Sequence, residues 1–322
     1  MRKQIYMKLG FPELINVSGR NTIKDLYPVN SSGIYLLKFP DGDYYVGQAR
    51  NVVRRFSDHI KRWGYISGFS FFPVPASQLN EVEQNCIGAL DKKCRLRNIS
   101  LVSSPVVDSQ LDALIPQQMQ EYWLSSFKQT PTVFTRHENN ILRKKYEQKF
   151  QKLKSNEMFI YLSLPVMQKY VKYCILEPYL TEISFWGCSC LPSFNNPEVK
   201  VHSRINIYWQ EVLYVGFDLV YKTPFYGFFV LKSDLKNEIK RLKSEYPSLV
   251  VRDLKHLSGG ADQCHPCLYS LQDALRILDD PVFRRAIKSF NLSTMRKGIL
   301  VYSRYHCMDL ADYLLANIRE EK

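Results

Sequence analysis

The 322-residue chain is long enough for two domains, each with its own core, and its 45% hydrophobic and 23% charged residues exclude both a single small module and wholesale disorder. Forty-four Lys and Arg against 31 Asp and Glu leave a formal charge of +13, a sign that favours a polyanionic partner, nucleic acid ahead of an anionic membrane surface. Apolar runs such as Tyr226–Leu231 fall far short of the ~18 residues that cross a bilayer, and MRKQIYMKLGFPEL lacks the apolar core of a signal peptide, so the sequence points to a cytoplasmic protein without a membrane role.

The most informative stretch runs from Ser31 to Gly64, SSGIYLLKFPDGDYYVGQARNVVRRFSDHIKRWG. Two apolar strands, Gly33–Phe39 and Tyr44–Gln48, flank Pro40-Asp41-Gly42-Asp43; proline presets φ and Gly42 is free to take a positive φ, so a β-hairpin is predicted. Asn51 then caps a helix whose buried stripe is Val52, Phe56, Ile60 and Trp63, with Gly64 as terminator. That stripe leaves Arg55, His59 and Arg62 together on a polar face. A second helix is predicted over Leu79–Leu90, with Leu79, Val82, Cys86, Ile87 and Leu90 in one apolar stripe and Glu83 inside it. Burying an unpaired carboxylate costs several kcal/mol, so Glu83 calls for a metal ion, for Arg55, or for a bend that returns its carboxylate to solvent.

Further on, LRKKYEQKFQKLK (Leu142–Lys154) places Leu142, Tyr146, Phe150 and Leu153 at helical spacing among lysines, a basic amphipathic connector. Met158–Leu231 is rich in aromatic and β-branched residues, and Val201, Ser203, Ile205 and Ile207 alternate as in a half-buried strand. Then come predicted helices: one capped by Ser233 and running to about Tyr246, one opened by Ser270 with Asp273 three residues on, one opened by Asp280-Pro281, and one over about Met308–Arg319.

In the first stretch, Gly33-Ile34-Tyr35 is followed on the second strand by Tyr45-Val46-Gly47, then by Arg55 eight residues after Gly47, His59 four residues later, Glu83 on the next helix and Asn98 after it. This ordered set, over about residues 25–105, resembles the GIY-YIG nuclease family, with valine in place of isoleucine in the second tripeptide. A second Tyr214-Val215-Gly216 has no GIY upstream and carries no such meaning. The resemblance implies an α/β (α+β) chain: a small catalytic domain with a short antiparallel sheet flanked by helices, then a second mixed α+β domain. It also implies one-step hydrolysis of a phosphodiester with one divalent metal, Mg²⁺ or Mn²⁺, held by Glu83. Tyr35 would be the general base, its phenol acidified by the charge of Arg55, with Tyr45 orienting the water or the phosphate; the two roles are exchangeable. Arg55 would clamp phosphate oxygens, His59 would position water or assist proton transfer, and Asn98 would fix the local network. Apart from the resemblance, Tyr35 and Tyr45 read as strand packing, and Arg55 with His59 reads equally as a solvated helix face.

Eight cysteines are too few for a disulfide scaffold. Cys188-Ser189-Cys190 and Cys264-His265-Pro266-Cys267 read either as a structural zinc set, with His265 or His306 as a substitute ligand, or as reduced thiols packed in a core. Positive charge recurs at Lys236, Lys240, Arg241 and Lys243 and at Arg284, Arg285, Lys288, Arg296, Lys297 and Arg304, which suggests a DNA-contacting face; the two helices opened by Ser270 and Asp280 suggest a helix-turn-helix. The expected organisation is a catalytic domain over 1–130, a connector helix over 131–157 and a specificity, DNA-binding or regulatory domain over 158–322. The expected function is a metal-dependent endonuclease acting on DNA, double-stranded in the first instance with RNA left open, in restriction or anti-phage defence. Repair of branched or damaged DNA, and a nucleic-acid-binding protein with a degenerate site, are the alternatives; self-association is left open.

Overall fold

The computed structural model describes residues 6–91, 93–98, 109–127, 131, 133–253, 256–316 and 318. The expected domain end at residue 130 and the expected helix end at Arg319 lie outside them. The chain divides into two compact units, Met1–Val107 and Asp108–Lys322, each a mixture of helices and antiparallel sheet, so the α+β class is observed.

In the first unit a four-stranded antiparallel sheet has the order β1 (Ile15–Asn16), β4 (Gly68–Pro73), β2 (Gly33–Lys38), β3 (Tyr44–Ala49). The predicted hairpin is β2–β3, with Tyr35 opposite Gly47 and Gly42 at φ +90° in the turn. Strand β2 is central and alternates between two cores: Ile34 and Leu36 pack with Leu79, Cys86, Ile87 and Leu90 of helix α2 (Leu79–Asp91), whereas Tyr35 and Leu37 pack with Val52 and Phe56 of helix α1 (Val52–Trp63). Both ends of α1 follow from sequence. The Asn51 side chain accepts from Arg54 N, and Gly64 sits at φ +72° with its N–H on Ile60 O.

The second unit is built on an antiparallel sheet ordered β10 (Val250–Arg252), β11 (Gln263–Leu268), β8 (Thr223–Phe228), β7 (Gln210–Asp218), β6 (Val199–Ile207), β5 (Trp186–Cys190), with β9 (Val230–Leu231) also paired to β11. Its helices include α3 (Gln110–Leu114), α4 (Gln117–Ser125), α5 (Asn140–Lys154), α6 (Leu164–Cys174), α7 (Pro178–Thr181), α8 (Lys232–Leu235), α9 (Ile239–Glu245), α10 (Leu271–Ile277), α11 (Pro281–Met295) and α12 (Met308–Ala316). Several expectations change here. Helix α5, read as a connector, contributes Leu142, Tyr146, Phe150 and Leu153 to the core of this unit, and the boundary between the units falls near 107. The segment after Met158 is helical to Cys174 and again over Pro178–Thr181 before the strands begin, because its apolar residues serve α6 packing: Met167, Tyr170 and Val171 are fully buried. Ser233 lies inside α8, bonded to Asp262 by both its N–H and its hydroxyl, and the helix to Tyr246 is broken into α8 and α9. Ser270 and Asp280 do cap α10 and α11. Among the described residues no helix is long and apolar enough to cross a membrane.

Candidate active site

The sheet register brings the predicted residues of the first unit together. Tyr35, central on β2 and 1% exposed, points toward α1, where its hydroxyl lies 2.6 Å from His59 Nε2 and accepts from Arg55 Nε at 3.3 Å. A phenol has one proton. With Arg55 donating, that proton lies toward His59, whose Nε2 then accepts and whose neutral ring carries its proton on Nδ1. Burial first, then the charges of Arg55 and Arg62, depress His59 to a pKa of about 4, which keeps it neutral. The Arg55 charge also acts on the Tyr45 phenol, pulling it down against the burial that raises it.

Two glycines explain why these rings fit. A Cβ on Gly47 would stand 2.2 Å from the Tyr35 hydroxyl oxygen, and one on Gly33 would stand 2.1 Å from Phe72 O. Gly47 is thus the empty space into which the Tyr35 ring lies.

Glu83 on α2 turns to the outer edge of β3, where its two oxygens accept from Gln48 N at 3.1 Å and Gln48 Nε2 at 2.9 Å. Burial raises its carboxyl above the usual range, against the pull of those two hydrogen bonds and of the Arg55 charge. Asn98 closes the same edge two residues earlier: its amide accepts from Val46 N at 3.0 Å and donates to Val46 O at 2.7 Å. Tyr44 completes the series by exchanging bonds with Arg95 O and Arg97 N. Every outward backbone donor along β3 is therefore met.

The chain matches no protein-family model, no curated protein and no solved structure.

Two details depart from sequence expectation. His59, placed on the polar face of α1, is buried: it stacks on Trp63 at 4.7 Å between centroids and meets the edge of Tyr45 at 5.0 Å. Tyr35, expected to be acidified by Arg55, is instead raised, because burial and the neighbouring Tyr45 outweigh the guanidinium. Tyr45 is raised too, again chiefly by burial, but it is only half-buried and so the more reachable of the two hydroxyls. Gln48 and Trp63 were missed as site residues. Gln48 directly follows Gly47 at the end of an apolar strand, and a polar residue there, one helix away from a carboxylate in an apolar stripe, was the available signal.

The residues predicted in the second unit are dispersed. Cys188 and Cys190 lie on β5 and Cys264 and Cys267 on β11, four strand spacings apart, roughly 19 Å along the sheet, so the two pairs share no tetrahedral site. Each finds a local partner: Cys188 Sγ lies 3.5 Å from Cys307 O, and Cys267 Sγ 3.5 Å from the His265 ring. His306 Nδ1 accepts from Cys188 N and its Nε2 meets Glu182. Among the described residues no three His, Cys, Asp or Glu side chains cluster as a metal site. Nor do the basic clusters form one face. Arg284 and Lys288 are 2% exposed and bound to backbone carbonyls, Lys297 donates to Ser258 O, Arg296 pairs with Asp112, and Arg241 pairs with Glu238, Glu245 and Asp280. Lys236, Lys240, Lys243, Arg285 and Arg304 remain exposed. Helix α11 is buried along most of its length, which rules it out as the recognition helix of a helix-turn-helix.

Proposed function

We propose that the first unit is a metal-dependent endonuclease site of GIY-YIG type, acting on DNA. The observation that carries this reading is an exposed arginine, Arg55, bonded to the buried Tyr35 hydroxyl with its charge felt at Tyr45, beside a part-buried carboxylate on the neighbouring helix. Structural packing alone does not call for an exposed arginine bonded to a buried phenol.

A hard divalent cation fits the donor set. Mg²⁺ is commonly held by one or two carboxylates and completes its shell with water and substrate phosphate, and Glu83 is a single, oriented carboxylate whose buried charge a cation would offset. When bound, the metal supplies charge neutralisation at the scissile phosphate and at the leaving oxygen. The rest is done by the chain. Arg55 holds phosphate oxygens and gains strength as charge develops on them. Tyr35 takes a proton from the attacking water as its own proton passes to His59 Nε2, so the base is a phenol–imidazole relay and not a standing phenolate; this is the consequence of a raised phenol next to a neutral histidine. Tyr45, more exposed, orients the phosphate. Gln48 and Asn98 hold Glu83 and strand β3 in place.

A second reading, a nucleic-acid binder without turnover, is favoured by one observation: the oxygens of Glu83 and the amide of Asn98 all serve to close the free edge of β3. Incubating the purified chain with supercoiled plasmid, single-stranded DNA and RNA, in Mg²⁺ and in EDTA, separates the two. Nicked or linear products in Mg²⁺ alone support the nuclease; binding of the same substrates with no product under any metal supports the second reading.

A further inference from the structure

A cleft of about 450 Å³ in the second unit has no part in the reading above. Its floor is the polar face of three neighbouring strands: Ser189 on β5, Arg204 and Asn206 on β6, Glu211 on β7, with Ser189 opposite Arg204 and Asn206 opposite Glu211. Arg204 Nε lies 3.0 Å from a Glu211 oxygen as an ion pair but lacks the alignment of a hydrogen bond, and so this buried donor has no hydrogen-bond acceptor. Nη2 of the same arginine donates to Ser193 O at 3.1 Å.

The wall is aromatic. Trp209 and Tyr302 stand 5.9 Å apart edge to face, and Tyr305 follows at 6.5 Å from Tyr302. Trp209 is 52% exposed, so burial does not hold it. The backbone does: Tyr208 and Trp209 form the two-residue turn between Ile207 and Gln210, and Tyr208 takes φ +54°, a region that L side chains avoid. Val301 N donates to Tyr208 O at 3.1 Å, Ser258 Oγ donates to Trp209 O at 3.3 Å, and the Tyr208 ring lies against Gly298, where a Cβ would come within 3.2 Å. A large ring kept half out of water by a strained and clamped turn is a preformed binding face.

Cavities of this volume take small planar ligands, and charge selects among them. An organic cation caged by the aromatic rings would meet Arg204 in the floor and Lys149 at the lining, both positive. A neutral ring can meet both Arg204 and Glu211 through hydrogen bonds while an anionic group attached to it lies toward Lys149 and away from Glu211. The floor offers two acceptor oxygens on Glu211 beside the donors of Arg204, which complement two adjacent N–H groups next to a carbonyl, the edge that guanine presents. We propose that this cleft binds a guanine nucleotide, with the base on the Trp209 and Tyr302 wall, Glu211 accepting from N1–H and the 2-amino group, Arg204 donating to O6, and the phosphate toward Lys149. The guanine comes either from a free mononucleotide or from a single-stranded nucleic acid. The site is separate from the cleavage site and stands whether or not the first unit cuts.

The test is calorimetric titration of the full chain in EDTA with GMP, AMP, CMP and UMP, and with a short oligothymidylate carrying one central guanine or none. Saturable binding of GMP or of the guanine oligonucleotide is expected, weakened about ten- to a hundredfold by Trp209→Ala, as loss of one base-stacking ring implies. Glu211→Gln should weaken guanine while leaving the other bases unchanged. Tighter binding of the oligonucleotide than of GMP identifies nucleic acid as the source; equal binding identifies the free nucleotide. Trp209 is exposed on a turn, so the variant should melt as the wild type does, and that melt is recorded alongside. Equal binding of all four nucleotides, affinity unchanged in a folded Trp209→Ala, or no saturation by any ligand at millimolar concentration overturns the proposal.

Discussion

The two units treat positive charge in opposite ways. In the first, Arg55 stays exposed while its guanidinium reaches inward to the Tyr35 hydroxyl. In the second, Arg284 is enclosed between the rings of Phe127 and Tyr173, at 4.0 and 4.4 Å, and gives its N–H groups to Leu278 O, Phe127 O and Asp279. One arginine is open to solvent beside a buried phenol; the other takes the place of water at two backbone carbonyls, Leu278 O and Phe127 O. Net charge therefore says that a chain can attract an anion, and burial decides which cations take part.

Substitution sharpens that contrast. Arg284→Ala strands those carbonyls and should lower stability by about 3 kcal/mol, read as a shift in the urea midpoint, with nucleic-acid affinity per folded molecule unchanged. An unchanged midpoint with lost affinity would move Arg284 to the surface and break the comparison. Arg55→Ala should do the reverse, lowering single-turnover cleavage by about 10²–10³ while costing no more than about 1 kcal/mol in the same melt. Gly47→Ala acts through packing: the new methyl collides with a Tyr35 ring that His59 and Arg55 hold in place, so a loss of about 1–3 kcal/mol is expected together with reduced cleavage. Wild-type stability in that variant would show that the ring has room to move.

Where the sequence was legible, the determinant was local. The β2–β3 hairpin, the Asn51 and Gly64 ends of α1, and the Ser270 and Asp280 caps each depend on residues within a few positions of one another. The candidate site was legible because most of its side chains sit on one hairpin, β2–β3, and on the two helices α1 and α2. What escaped depended on partners far along the chain. The burial of His59 is set by Tyr35, 24 residues earlier, and the enclosure of Lys288 by Trp123 O, 165 residues earlier. The cysteine pairs looked joinable on paper, yet three strands lie between β5 and β11. Helical periodicity in α5 revealed its apolar stripe but not which unit would bury it.

Titration tests both units at once. Burial lowers His59 in the first unit and His202 and His265 in the second to about 4, below their unfolded value of 6.5. Between those limits the unfolded chain binds protons that the folded chain does not, so stability should fall as pH drops from 6.5 toward 4. The second unit holds two of these histidines and should lose more. Urea melts followed at pH 7 and pH 5 would show this, and midpoints that do not move would contradict the buried, neutral imidazoles.

The central claim is that the cluster around Arg55 and Glu83 cuts phosphodiesters with a metal ion. Its most direct test is single-turnover cleavage of plasmid DNA in Mg²⁺ by the wild type and by Glu83→Gln, with DNA affinity and melting temperature measured on the same preparations. Cleavage by the wild type, abolished in a Glu83→Gln protein that still folds and binds DNA, is the predicted result. Near-normal Mg²⁺-dependent cutting by Glu83→Gln, or a wild type that binds DNA and leaves it intact, would contradict it.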